Sequence, residues 1–202
     1  MIGIGMKLTS PKTYRIIRKI LEKKQFTQTE LSNELDISWG QINKTTNWLL
    51  KKKCIIKKRK YELWDPLGIL NSISMFRRLE PLYSLTVRID EENVLKTLNE
   101  ETDIILARVT ALNHYSQYFR ENIIDFYARD AREVKDLLSK VPGDGVVVNV
   151  YKEDLNVRDD IKIIENFKVT SEIRTVIDLF CSERAYTAHD LIKEIWGIEI
   201  EV

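Results

Sequence analysis

Two helix-start signatures stand eleven residues apart in this chain, and that spacing restricts its front third more than any other feature. Thr27-Gln-Thr-Glu30 and Ser38-Trp-Gly-Gln41 both carry the pattern in which a hydroxyl caps the third helical N–H and a long polar side chain reaches back. Only one short helix fits between them, with Leu31 and Leu35 on its inner face and a tight turn at Asp36-Ile37. The second signature opens a longer helix to about Lys52, in which Ile42, Thr46 and Leu49 recur at i, i+4 and i+7. A further helix precedes the pair. Ser10-Pro11 supplies a capping hydroxyl and a proline suited to the first helical position. Tyr14, Ile17, Ile20 and Leu21 then share one face, Lys12, Arg15, Lys19 and Lys23 look outward, and Gln25-Phe26 ends the helix. Two short capped helices joined by a three- or four-residue turn, the second the longer, form a helix-turn-helix arrangement.

Beyond the last of these helices the pattern changes to a hairpin. Cys54-Ile-Ile56 and Tyr61-Glu-Leu-Trp64 are β-prone runs separated by Lys57-Lys-Arg-Lys60, and seven of the ten residues 51–60 are Lys or Arg. The 202-residue chain has a formal charge of only +1, yet the charge is unevenly spread. Residues 1–64 hold 15 Lys and Arg against 5 Asp and Glu, a net of +10; the remainder holds 17 against 26, a net of −9. Such asymmetry points to a nucleic-acid-binding end and a differently employed other end.

Over residues 8–65 this order of three helices and a basic hairpin resembles the winged-helix DNA-binding family. With Ile42, Thr46 and Leu49 facing a core, Gln41, Asn43, Lys44 and Asn47 project away from it. Amides suit adenine edges in the major groove and lysine suits guanine. Ser38 and Gly40, at the helix start, bring backbone N–H groups to a phosphate. Lys57, Lys58, Arg59 and Lys60 would hold the backbone or an adjacent minor groove without reading sequence. The expected partner is double-stranded DNA, because the major groove of double-stranded RNA is too narrow for a helix. Trp39 and Trp48 are expected to pack, and Cys54 to be a small buried apolar residue.

The domains expected are residues 1–65, a linker with a short helix over 66–81, and an α/β regulatory or partner-binding domain over 82–202. The overall class is α+β, a winged helix-turn-helix followed by a mixed α/β domain. Within the last domain, strands are predicted at 82–89, 122–128, 146–151 and 161–164. Helices are predicted at 91–98, 104–119, 131–141 and 171–181, with a last one over 191–196 that begins near Thr187. Residues 65–81 could also form a contact between domains or between two copies of the chain, so a homodimer is one expected assembly.

A second resemblance rests on order. Ala107-Arg-Val-Thr-Ala-Leu112, the Val146–Tyr151 strand and the segment Phe167 to Leu179 succeed one another, the last carrying V-T-S-x-x-R-T-x-x-D-L over Val169–Leu179. This resembles the C-terminal domain of the AbiEi-type antitoxin and transcriptional-regulator family, with Tyr115 standing where small residues are expected. The resemblance implies a regulator that represses its own operon, often paired with a nucleotidyltransferase-like toxin. Physics supplies a plain account of the motif beside it. Thr170 or Ser171 caps a helix, and Arg174 pairs with Asp178 at i, i+4 on its surface.

Other classes find less support. No apolar run approaches the roughly 18–20 residues that cross a bilayer, so no membrane partner is expected. Met1 to Lys7 lacks the order of a signal peptide, so a cytoplasmic location is expected. Cys54 and Cys181 are far apart with no C-x-x-C, which argues against a disulfide scaffold or zinc ribbon. No phosphate-binding loop occurs, Gly3-Ile-Gly5 has no strand before it, and His114 and His189 lack neighbours for a metal site or triad. His114 is expected on a helix surface and His189 in the first turn of the last helix. No catalytic residue, metal or cofactor is therefore assigned. Two alternatives stay open: a metal-dependent nuclease using Asp144, Glu153, Asp154 and the Asp159-Asp-Ile-Lys162 stretch, and a protein-interaction scaffold whose winged helix never touches DNA.

Overall fold

The structure, a computed structural model, describes residues 6–88, 91–116, 122–139 and 145–199. The chain is α+β and divides into two units, Met1–Arg78 and Leu79–Val202.

In the first unit, α1 (Pro11–Lys23) has proline at its first position. The Ser10 hydroxyl does not cap it; it donates to the Thr13 hydroxyl at 2.8 Å. Lys24, at φ 61°, turns the chain out of the helix and into β1 (Gln25–Phe26), a two-residue strand where only a helix end was expected. α2 (Gln28–Leu35) forms its full capping box: Glu30 N–H donates to Thr27 Oγ1 at 3.1 Å, and Thr27 N–H to Glu30 Oε2 at 2.7 Å. Asp36, left-handed at φ 50°, stops it, and α3 (Trp39–Lys51) begins three residues on. β2 (Ile55–Lys57) and β3 (Tyr61–Leu63) then join β1 in an antiparallel sheet of order β1-β3-β2. The Phe26 and Tyr61 rings stack across it at 5.4 Å. Tyr14, Ile17, Ile20, Leu21, Leu31, Ile42, Leu49 and Ile55 are buried as the core.

The expected linker divides otherwise. α4 (Pro66–Ser74) belongs to the first unit, with Asp65 Oδ1 accepting from Gly68 N–H at 2.8 Å. Ile69, Leu70 and Ile73 fall on one side and are fully buried, which takes their apolar surface out of water.

The second unit is built on a six-stranded mixed sheet. In chain order its elements are β4 (Tyr83–Val87), α5 (Glu91–Glu101), β5 (Ile104–Leu106), α6 (Arg108–Leu112), β6 (Ile123–Ala128), α7 (Ala131–Leu138) and β7 (Val146–Lys152). β8 (Ile161–Ile164), β9 (Phe167–Thr170), α8 (Glu172–Phe180) and α9 (His189–Trp196) complete it, with single 3-10 turns at Val157–Asp159 and Ala185–Ala188. The strands lie in the order β4-β7-β6-β5-β9-β8; β7/β6 and β5/β9 are parallel and the rest antiparallel. Period-two alternation gives the sheet two unlike faces. Ile124, Phe126, Val148 and Val150 point to an apolar layer completed by Val94 and Leu98 of α5 and Val134 and Leu138 of α7. Asp125, Tyr127, Asn149 and Tyr151 point the other way, and their polar partners come chiefly from α6 and α8.

Two strands of the second unit depart from the sequence expectation. Ile104-Ile-Leu106 is a strand, not the start of a helix to Phe119; its apolar run is buried on both faces, the case in which periodicity cannot separate a central strand from a buried helix. Residues 117–119 lie outside the described residues. β9 stands where Phe167 to Thr170 reads as no more than the lead-in to a helix. It pairs with β8 through a two-residue turn, Glu165-Asn166, with φ of 50° and 68°. Two positive-φ residues suit the twist of a tight hairpin, and a Glu-Asn pair is a weak signal for it.

Candidate nucleic-acid interface

α3 presents two stripes. Ile42, Thr45, Thr46 and Leu49 are buried, while Gly40, Lys44, Asn47 and Lys51 form an exposed line at three- and four-residue spacing. Asn43 is half-buried on the edge of that line. Ser38 is exposed at the N-cap, but the second capping box does not form. Its Gln41 instead donates Nε2–H to Thr13 Oγ1 of α1 at 3.1 Å, so Gln41 braces two helices and does not join the outward set. A Cβ on Gly40 would meet nothing within 4 Å, which leaves the backbone of this first turn open to approach. Trp39 does not pack as expected: it is 55% exposed, whereas Trp48 is half-buried.

Amides link α3 to α2. Gln28 Nε2 donates to Thr46 Oγ1 at 2.6 Å and to Asn43 Oδ1 at 3.2 Å, and Asn47 Nδ2 donates to the same Asn43 oxygen at 3.2 Å. The Thr46 hydroxyl lies 3.0 and 3.1 Å from the Ile42 and Asn43 carbonyls. Sequence reasoning passes over Gln28 because it stands inside a capping box whose other members explain the pattern.

The hairpin carries its charge outward. Lys57, Lys58, Arg59 and Lys60 are all exposed. Lys57 Nζ sits 5.4 Å from the Tyr61 ring centre, Lys58 Nζ is 2.6 Å from Glu62, and Lys60 Nζ is 3.7 Å from Glu30. Hydrogen bonds from the Thr27 backbone and side chain hold the Glu30 carboxyl below its usual range, with Lys60 and Lys23 assisting. Lys19 and Lys23 meet Glu34 at 2.7 and 3.0 Å. The exposed hairpin pairs are each worth about 0–1 kcal/mol, so a phosphate can replace the carboxylate there at little cost.

The second unit has exposed pairs as well, such as Lys168 with Asp103, but it also buries charge. Arg174 and Asp178 do pair at i, i+4, at 3.0 Å, but both are fully buried rather than on a helix surface. Arg174 also donates to Tyr127 OH at 2.9 Å and to Asp154, and Tyr127 OH donates to Asp178 Oδ2 at 2.9 Å. Beside this set, Arg108 donates to Asp125 Oδ1 and Ser182 Oγ, both at 2.9 Å, and to Tyr151 OH. Burial pushes the Asp125 carboxyl above its usual range against the pull of Arg108, and pushes the Tyr151 phenol up. The V-T-S-x-x-R-T-x-x-D-L run is thereby explained as architecture. Ser171 accepts from Arg174 N–H at 3.3 Å as the helix cap, and the Thr170 and Thr175 hydroxyls meet at 2.8 Å.

Glu153, Asp154, Asp160 and Lys162, named for a nuclease, are engaged in other pairs. Asp160 is buried and accepts from Ser171 Oγ at 2.5 Å, Lys162 pairs with Glu172 at 2.5 Å, and Glu153 with Arg158 at 2.5 Å. A cavity of about 430 Å³ is lined by Glu153 through Asp159. Among the described residues no group of three or more His, Cys, Asp or Glu could hold a metal ion, and Asp144 lies outside them. His114 comes after α6 and is half-buried with its ring 5.9 Å from Phe167, a correction to the expected helix surface. Burial pushes its imidazole below the usual value, against the pull of Glu165. His189 opens α9 as expected. Cys54 is buried, and burial pushes its thiol up to about 11. Among the described residues no helix is long and apolar enough to cross a membrane.

Compared with known proteins, the chain matches no family model, no curated protein and no solved structure.

Proposed function

We propose that this chain is a sequence-specific double-stranded DNA-binding transcriptional regulator, and that its first unit is a winged-helix module. One observation carries the reading: the exposed line of α3, with Lys44, Asn47 and the edge residue Asn43, belongs to the same small unit as a hairpin bearing Lys57, Lys58, Arg59 and Lys60. The order of three helices and a β1-β3-β2 sheet supports it. In this reading α3 enters the major groove with Asn43, Lys44 and Asn47 toward base edges, while Ser38, Gly40 and the hairpin meet phosphates. Gln41 is removed from the reading set, since it serves α1. Occupancy of an operator blocks transcription. The acidic second unit sets assembly as a homodimer or receives a protein partner, for which the resemblance to AbiEi-type regulators names a nucleotidyltransferase-like toxin.

Titrating the full chain onto a promoter-bearing duplex at several salt concentrations tests this. Affinity should fall with a log–log slope of about −0.9 per phosphate contact. Lys58→Ala with Arg59→Ala should shallow the slope on every duplex alike, whereas Asn43→Ala should chiefly blur sequence preference. Parent-like binding by both variants would remove the interface assignment.

A further inference from the structure

Resting on the assignment of α3 as the reading helix, we propose that Asn43 and Asn47 act together as one split reader of an adenine edge, and that Gln28 of α2 is the positioning residue that sets its polarity. The Thr46 hydroxyl lies 3.0 and 3.1 Å from two backbone carbonyls, which can only accept, and so has acceptors for its proton within α3. Gln28 presents its amide nitrogen to that oxygen at 2.6 Å. The same nitrogen stands 3.2 Å from the Asn43 side chain, which must answer with its oxygen. Asn47 then donates Nδ2 to that oxygen at 3.2 Å. Once Gln28 presents its nitrogen, the orientations of Asn43 and Asn47 follow. On α3 this network leaves uncommitted the Asn43 Nδ2 amino group and Asn47 Oδ1, a donor and an acceptor one helical turn apart, on a half-buried and an exposed residue.

Adenine complements that pair in the major groove, because its N7 accepts and its N6 amino group donates. Guanine offers acceptors at both N7 and O6, so the Asn47 oxygen would face an oxygen with no proton between them. A lone asparagine can turn over to suit either base. Gln28 removes that freedom, and preference for adenine results from an amide that never touches DNA.

The experiment starts with selection by the full chain from a pool of random-sequence DNA duplexes. Each adenine of the enriched site is then replaced in turn by 7-deazaadenine, which lacks the N7 acceptor, and by guanine. At one position either replacement should weaken the parent about tenfold. Asn47→Ala, an exposed change that leaves the core intact, should erase that difference. Gln28→Leu and Gln28→Glu, the latter forcing Asn43 to turn its nitrogen inward, should bring the adenine-to-guanine ratio at that position near one, whatever happens to overall affinity. Adenine preference retained in both Gln28 variants overturns the positioning role. An enriched site in which no adenine behaves this way overturns the split reader. A parent that binds no duplex at all overturns the DNA reading itself, which is a separate failure.

Discussion

The two units of this protein share exposed ion pairs, but the second adds pairs that are buried. In the first, acids and bases meet at the surface, each pair with at least one well-exposed member: Lys58 with Glu62, Lys60 with Glu30, Lys19 and Lys23 with Glu34. In the second, Arg174 and Asp178 meet with no solvent exposure, and Arg108 and Asp125 nearly so. The difference separates what each charge can be for. A solvated pair gains little and can exchange its partner for a phosphate. A buried pair has given up hydration that only its own partner restores, so it fixes the packing of α8 and α6 on the sheet and is not free to serve a ligand.

Breaking a buried pair should produce the largest effect. Arg174→Leu leaves Asp178 charged and without its guanidinium, and should destabilise the second unit by about 3–5 kcal/mol in urea unfolding. Arg174→Met combined with Asp178→Leu should recover much of that loss, because no buried charge is left uncompensated and Asp154, which Arg174 also meets, is exposed enough to be solvated. Loss no greater than that of a surface pair would erase the contrast between the units.

Lys44→Ala should leave unfolding unchanged and cost about 1–3 kcal/mol of discrimination at one base pair, read from competition between duplexes that differ there. Thr27→Ala removes the hydroxyl half of the one capping box that forms at the two signatures, and should lower the stability of the first unit by about 1 kcal/mol in thermal unfolding. The smallest effect concerns His114. Its folded value lies below the ordinary histidine value, so above that ordinary value both states are neutral and no cost appears. As pH falls through the ordinary range, the unfolded chain takes up the proton first and the folded state loses stability. His114→Gln should flatten that part of the stability profile, measured as the difference from the parent between mildly alkaline and mildly acidic pH.

The first unit was largely legible in the sequence because local signals agreed with one another. The Thr27–Glu30 box, the Asp36 turn and the 42/46/49 spacing each placed an element where it is found. What local signals could not settle were competitions between partners. Gln41 had a capping role available and took Thr13 instead, and Ser10 likewise chose the Thr13 hydroxyl over a backbone N–H. Gln28 carried no sequence signal at all, since its role depends on α2 lying against Thr46. In the second unit the errors have another origin. Ile104 to Leu106 is buried on both faces, so its hydrophobicity has no period to read. Arg174 and Asp178 have the spacing of an ordinary surface pair, and only the Tyr127 face of the sheet reveals that they lie inside.

The central claim is that the cationic unit supplies the duplex-binding face and the acidic unit does not. Amide hydrogen exchange of the full chain, with and without an excess of random-sequence DNA duplex at low salt, tests it most directly. New protection should concentrate in 38–51 and 55–63, with the strands of the second unit unchanged. Protection confined to residues 83–199, or none anywhere at a duplex concentration that saturates binding, would contradict it.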